Sequence, residues 1–495
     1  MGLLRFDVPR PEHLPPELVA RAYVAGLEGV PWLSQNTLAN GELQIRRGVN
    51  ESGMLFVPWE VAGHGQLVLS TTTLMESDAP YNLPLELARG TLHRARHQLA
   101  EWQSVGLRLS ADLQSGMRQA TSSFIRAATL GSPPSAVADA AEAALSDGLD
   151  LVRLLGTEYC RQALAVRHQQ QTRLPTLFGV RLDPAPLSAA TAKALASTFN
   201  AAILPVTWRH VEEIDGQPCW ELFDRQLEWC RARGLKVCCG PLVDLAPQAI
   251  PDWLYLWEDD PDALRSYVLN HLQAVVERYR GRVHLWSCSA RLNTEAALPL
   301  TEEARLRLAA DSLQLLRRLD QRTPVIISLD QPWAEYLGRQ RHDLSPLYFA
   351  DALARGNLGL SGLGLEINLG YWPEGTQPRD LLEFSYQIDR WTGLGLPLVV
   401  LLTIPGGCGA DPHAVHDDQQ LAATAHGLPN PASQAALAEQ LIPLLLSKQA
   451  VQAIFWNQLQ DGVPHPFPHG GLFEATGQAK PALHSLRAIR RQYLA

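Results

Sequence analysis

From about residue 175 onward, short apolar runs alternate with longer stretches whose apolar residues recur at helical spacing. The runs are almost continuously apolar, as expected for strands that are buried on both faces. Repeated β-then-α units predict an α/β fold, a (β/α)8 barrel, over residues 173–495. The eight runs are Leu177–Leu182, Ala201–Val206, Leu235–Gly240, Val283–Cys288, Pro324–Leu329, Leu363–Ile367, Leu398–Leu402 and Val451–Trp456.

The first part of the chain has a different pattern. Residues 1–80 contain strand-like runs separated by turn sequences rich in Gly and Asn, and they predict a small antiparallel β domain that follows a Pro-rich, extended start. Residues 81–172 change to a helical period and predict a helical segment that links this domain to the barrel. The strand-like runs are Ala20–Leu27, Glu42–Arg47, Met54–Glu60 and Gln66–Thr72.

The composition narrows the class of protein. With 46% hydrophobic residues, 19% charged residues and a formal net charge of −9, the chain resembles an ordinary folded protein and has no long basic run for a nucleic-acid partner. No apolar run reaches the roughly 18 residues of a membrane span, and the N-terminus lacks a secretory signal pattern. The seven cysteines contain no CxxC pair and are expected to be reduced core thiols, so a cytoplasmic location is expected.

In a (β/α)8 barrel the active site lies at the carboxyl ends of the strands, so the residues that follow each run are the candidate site. Carboxylates, amides and aromatic rings occur there, a combination that suits carbohydrate, because sugar rings stack on aromatic faces and hydroxyls bond to polar groups. The candidate catalytic carboxylates are Glu366 and Asp330, which lie at the ends of adjacent runs. The candidate ligand contacts are Trp208, Arg209, Asp244, Arg291, Asn293, Trp333, Glu335, Asn368, Tyr371, Trp372, Trp456, Asp461 and His465.

The other polar clusters in the sequence add no metal or cofactor site to this prediction. His465 and His469 lie four residues apart, but the prolines between and beside them exclude a helix, so no metal site and no cofactor are expected. The polar insertion after the seventh run holds His413 and His416 and is expected to form a hydrophilic lid over the barrel. Glu295 is a reserve carboxylate after the fourth run.

Several segments of the barrel region resemble glycoside hydrolase family 10, whose members are mostly endo-β-1,4-xylanases. Residues 199–237 and 241–254 resemble that family's second and third strand segments. Residues 278–293 fall where the family reads Trp-Asp-Val-Val-Asn-Glu, and residues 454–483 resemble its eighth strand segment, with a Trp, a Gly-Leu-Phe and a Lys-Pro-Ala. The resemblance implies a sugar-hydrolase barrel and an oligo- or polysaccharide partner.

Two departures from the family bear on function. Ala290 and Arg291 stand where the resemblance places the acid/base Glu, and Leu401 stands at the position of the nucleophilic Glu. Neither arginine nor leucine can replace a carboxyl group in retaining hydrolysis, which needs two carboxyl groups about 5–5.5 Å apart. Two interpretations stay open: a divergent glycosidase with relocated carboxylates, such as Asp330 and Glu366, or a non-catalytic barrel that binds a glycan or a protein, or has a structural role.

Overall fold

The computed structural model describes residues 2–131, 133–294, 297–425 and 427–495. Its N-terminal part contains two four-stranded, largely antiparallel sheets that share one apolar core. The extended start of the chain is an inner strand with alternating burial, in which Leu4 and Phe6 face the core. The first sheet has the order Ser34–Ala39, Glu42–Arg47, Gly2–Asp7 and Tyr81–Asn82. The second has the order Pro31–Trp32, Tyr23–Ala25, Met54–Val61 and Gly65–Ser70.

Three long helices follow the sheets: Leu83–Ser104, Ala111–Thr129 and Pro134–Gln170. The Asn82 side chain caps the first helix by accepting a hydrogen bond from the backbone N–H of Leu85. Gly90 lets this helix approach the second sheet closely, because a Cβ atom there would lie 2.0 Å from the carbonyl oxygen of Ser70. The helices therefore bridge the two sheets to the rest of the chain.

The remaining residues close into the predicted barrel of eight parallel strands. Strand 8 pairs with strand 1, with Trp456 opposite Val180, and this pairing completes the ring. The predicted runs differ from the strands by no more than two residues at either end. Numbered 1 to 8 in chain order, the barrel strands are Leu177–Arg181, Ala201–Leu204, Lys236–Cys239, Leu285–Ala290, Val325–Asp330, Gly362–Asn368, Leu398–Thr403 and Val451–Trp456.

Helices surround the barrel, and their apolar faces pack on the outside of the strands to form the largest core of the molecule. They are Ala189–Thr198, Trp208–Val211, Glu221–Ala232, Pro261–Tyr279, Glu302–Leu319, Pro346–Arg355, Leu381–Thr392, Pro431–Ser447 and Pro481–Tyr493. Two short strands beyond the ring, Tyr371–Trp372 and Gln420–Leu421, pair with each other antiparallel. Among the described residues, no helix is both long and apolar enough to cross a membrane.

A buried ionic network joins the N-terminal part to the barrel. Arg379, which is fully buried, donates hydrogen bonds to the Tyr23 hydroxyl at 2.6 Å and to Glu335 Oε1 at 2.7 Å. The backbone N–H of Gln377 donates to the other oxygen of Glu335 at 2.9 Å. The carboxylate of Glu335, a predicted ligand contact, is thus used in the contact between the two parts of the chain.

Candidate functional site

The inward positions of the barrel strands change from apolar to polar toward the carboxyl end. On strand 5, Ile326 belongs to the apolar cluster inside the barrel, and Ser328 and Asp330 follow at the next two inward positions. On strand 6, Glu366 is the register partner of Asp330. Neighbouring strands lie about 4.8 Å apart, so the structure brings the two predicted carboxylates together.

Arg291 occupies the centre of this polar layer. It directly follows strand 4 with a positive φ of 61°, and its guanidinium forms an ion pair with Asp244. Its Nη1 atom also lies 3.6 Å from Glu366 Oε2. Burial opposes the charged form of Arg291, but the two carboxylates more than offset it and raise its pKa, so the guanidinium is charged.

Glu366 lies beneath that guanidinium. Its side chain is 1% exposed, and its Oε2 atom accepts no hydrogen bond from the described residues. The guanidinium groups of Arg291 and Arg181 both interact with this carboxylate, which is shielded from solvent. Glu366 borders a small interior cavity of about 10 Å³ together with Arg181, the last residue of strand 1.

Asp330 is held in place by Asn293, a predicted ligand contact that has a positioning role instead. The amide of Asn293 donates to the carbonyl of Asp330 at 2.9 Å and accepts from its backbone N–H at 3.0 Å. Burial, together with the nearby charge of Glu366, raises the pKa of Asp330 to about 8. Burial and the neighbouring negative charge thus both favour the protonated form of Asp330. The amide of Asn368, which accepts a hydrogen bond from Thr403 at 2.7 Å, lies 3.5 Å from Asp330 Oδ1.

A cavity of about 100 Å³, called the mouth cavity below, opens at this end of the barrel. Three of the predicted residues line it: Arg291, Asp330 and Asn368. Its other lining residues come from loops and were not predicted as contacts: Leu245, Ala246, Pro247, Gln248, Thr294, Glu374, His416 and Phe467.

The two ionisable loop residues of the mouth cavity have different environments. Glu374 is exposed, and its carboxylate forms no hydrogen bond or ion pair with the described residues. His416 belongs to the insertion after strand 7, and burial lowers its pKa, so its ring is neutral near neutral pH. The ring lies 5.5 Å from that of Phe467. Part of the predicted lid therefore lines the mouth cavity.

The aromatic residues that the sequence predicts as ligand contacts are buried in the structure. Trp208 stacks on His271 with ring centroids 4.7 Å apart and donates to Glu212, and the ring of Trp333 packs edge-on against Phe384. Large rings gain more by filling gaps between strands and helices than by facing water. At most 9% of each of these residues is exposed, and none lines the mouth cavity: Trp208, Trp333, Tyr371, Trp372 and Trp456.

Each of three further rings has a partner that explains its position. The Tyr371 hydroxyl donates to the carbonyl of Pro468 at 2.9 Å, and Trp456 Nε1 donates to the carbonyl of Gly470 at 2.9 Å. The guanidinium of Arg339 lies 3.8 Å from the ring centre of Trp372. These rings position the loops around the mouth cavity and offer no open face to a sugar.

Two predicted contacts on the eighth strand's loop also have internal partners. Asp461 pairs with Lys480 at 2.5 Å, and His465 Nε2 lies 3.1 Å from Asp411 Oδ2. Asp411, Asp461 and His465 each place a potential metal-ligand atom within 4.8 Å of the others. Lys480 already balances the charge of Asp461. The contact between Asp411 and His465 anchors the insertion after strand 7 to the loop after strand 8.

The remaining predicted residues lie at the edge of the site or beyond it. Arg209 pairs with Asp252 on a neighbouring loop and also donates to the carbonyl of Pro247 at 3.3 Å. The reserve carboxylate Glu295 lies outside the described residues. Arg181, at the end of strand 1, was missed, although the rule that selected the other strand ends also selects this one.

Comparison with known proteins identifies the barrel fold. No family model matches the sequence, and no curated protein matches it. Among solved structures, native xylanase 10B from Thermotoga maritima is 15% identical with a TM-score of 0.50, and the match covers 66% of this chain and 98% of that one. A family 10 protein from Paenibacillus barcinonensis is 16% identical with a TM-score of 0.48, over 68% and 98%. The barrel thus shares the fold of family 10 xylanases, as the sequence resemblance implies.

Proposed function

We propose that the mouth cavity binds a neutral oligosaccharide and that Asp330 donates the proton in hydrolysis of its glycosidic bond. The observation that carries the proposal is the position of Asp330, a carboxyl group at the carboxyl end of strand 5 that lines a polar cavity, where burial raises its pKa. Cleavage of a glycosidic bond requires a proton on the leaving oxygen. An aspartate with an ordinary pKa near 3.9 would be ionised at neutral pH and could not supply it.

The charges around the mouth cavity oppose an anionic ligand and permit a neutral one, because Glu374 lines it without forming an ion pair with the described residues. The positive charge of Arg291 is already balanced by Asp244 and Glu366, so it offers hydrogen bonds more than a net attraction for anions. Asn368 and Gln248 add amide groups suited to hydroxyls. A volume of about 100 Å³ is small beside typical ligand pockets of roughly 300–1,000 Å³, so the cavity holds one part of a longer ligand.

The shared fold suggests which oligosaccharides to test first. The solved structure from Thermotoga maritima is a xylanase, so xylo-oligosaccharides lead the panel, followed by gluco- and manno-oligosaccharides. The fold alone does not choose among β-linked sugars, because one barrel architecture supports many activities.

A second candidate function is glycan binding without hydrolysis. It is favoured by Glu366, which is 1% exposed and ion-paired with Arg291, so that this predicted carboxylate does not contact a ligand. Without Glu366, the pair of carboxylates that the sequence predicts for hydrolysis is incomplete, whereas the polar groups of the mouth cavity can still bind sugar.

The test compares the unmodified protein with Asp330→Asn on the oligosaccharide panel, using calorimetry for binding and product chromatography for hydrolysis. We expect hydrolysis that falls by about 10²-fold or more in Asp330→Asn while the dissociation constant changes little. Asp112→Asn, an exposed change on the N-terminal helices, is the matched control and should behave like the unmodified protein. Binding without any hydrolysis would support the second candidate, and a panel without binding or hydrolysis would refute both.

A further inference from the structure

Resting on the proposed function, we infer that Glu374 is the second catalytic carboxylate, the general base that activates water, and that Glu366 is a positioning residue. Both Glu374 and Asp330 line the mouth cavity. This assignment differs from the pair that the sequence predicts, Asp330 with Glu366.

Accessibility separates the two glutamates. Glu374 is exposed, and its carboxylate forms no hydrogen bond or ion pair with the described residues, although it interacts electrostatically with Arg339, so water and ligand can reach it. Glu366 is 1% exposed, borders the small interior cavity instead of the mouth cavity, and lies beside the guanidinium of Arg291. A base must contact the water that it deprotonates, so only Glu374 meets this requirement.

The backbone at Glu374 is held in place, although its carboxylate accepts no hydrogen bond from the described residues. Its N–H donates at 3.1 Å to Oε1 of Gln419, a residue that is 9% exposed. The preceding short strand pairs with the insertion after strand 7, with Trp372 opposite Gln420. Two paired segments therefore position Glu374 at the mouth, as catalytic geometry requires.

Glu374 also interacts electrostatically with other residues of the mouth cavity. It adds the smallest of the contributions to the raised pKa of Asp330, after burial and Glu366, and it opposes the lowering of the pKa of His416. In inverting glycoside hydrolysis the acid and the base are about 6.5–9.5 Å apart, which leaves room for the attacking water between them.

The proposed reaction balances without any further reactant. Asp330 gives its proton to the glycosidic oxygen as the bond from that oxygen to the anomeric carbon breaks. A water oxygen bonds to the anomeric carbon while Glu374 takes one proton from that water. The proton then returns through solvent to Asp330, and the products are two sugars with one water consumed. Attack by water on the face opposite the leaving group inverts the anomeric configuration.

The experiment compares Glu374→Gln, Glu374→Ala and Asp330→Asn, with Glu303→Gln on an exposed helix surface as the control. We expect both changes at Glu374 to lower kcat by about 10²-fold or more and Glu303→Gln to leave it unchanged. Azide, a small anion that needs no base, should restore turnover in Glu374→Ala by forming a glycosyl azide. The first product of the unmodified protein, followed by NMR, should have inverted configuration.

Each failure has a distinct signature. Full activity of Glu374→Gln together with an inactive Asp330→Asn would overturn the assignment of Glu374 and leave the proposed function standing. Retention of the anomeric configuration would overturn the role as base. Full activity of Asp330→Asn, or no hydrolysis by the unmodified protein, would instead refute the proposed hydrolysis itself.

Discussion

The interaction between Asp330 and Glu366 can be tested without knowing any ligand, by replacing Glu366 with Gln. The two residues are register partners on neighbouring strands, and the strand spacing of about 4.8 Å serves as the estimate of the distance between their charges. At an effective dielectric constant of about 20, two unit charges at that distance repel by about 3 kcal/mol, which corresponds to about 2 pKa units. Glu366→Gln should therefore lower the pKa of Asp330 from about 8 to about 6.

The assay is infrared spectroscopy of the protonated carboxyl band, titrated from about pH 4 to pH 9. The difference between each protein and its Asp330→Asn counterpart assigns the band to Asp330. Removing Glu366 also leaves Arg291 with one carboxylate fewer, and this favours ionised Asp330, so both effects lower the midpoint. Glu303→Gln is the control and should leave the midpoint unchanged.

The pH dependence of the free energy of unfolding provides a second test, and its direction follows from the raised pKa of Asp330. Since the folded-state pKa of Asp330 is raised above its unfolded value, the folded protein binds the extra proton. This contribution to stability is fully present below about pH 4 and is lost as the pH rises to about 8. In Glu366→Gln the loss should end near pH 6. A carboxyl band whose midpoint stays near pH 8 in Glu366→Gln would refute the assigned coupling.

Two further predictions concern residues that the structure moves from the site to the interior. Arg379→Met should lower the free energy of unfolding by about 3–5 kcal/mol, because it leaves Glu335 buried without its cation. Chemical unfolding measures this loss, and adding Glu335→Gln should recover part of it. No recovery in the double variant would contradict the pairing. Trp208→Ala should lower the free energy of unfolding by about 3–5 kcal/mol, because it leaves a cavity in the core. Unchanged stability together with weakened sugar binding would show instead that Trp208 contacts the ligand.

The barrel was predictable because its strands are buried on both faces, which leaves continuous apolar runs in the sequence. The inward-facing residues at the carboxyl ends of the strands could also be predicted. Asp330 and Arg291 follow directly from the rule that places active sites at the carboxyl ends of strands.

The rest of the site depends on loop paths, which the local pattern does not encode. Glu374 and His416 reach the mouth cavity because two distant short strands pair with each other and because the insertion is tied down by Asp411 and His465. The sequence also does not show which way a Trp after a strand turns. The buried position of Trp333 depends on its packing against a neighbouring helix.

Arg291 and Glu366 must be understood as a pair. A carboxylate with 1% exposure and no hydrogen bond to Oε2 from the described residues would be costly without a nearby cation, and Arg291 supplies that cation from the end of strand 4. The same position in the family resemblance holds the acid/base Glu, so the change to Arg there is matched by a buried Glu on strand 6. Glu366 is therefore held in an ion-paired group that borders the small interior cavity, whereas Asp330 and Glu374, to which the proposed function assigns the chemistry, line the mouth cavity.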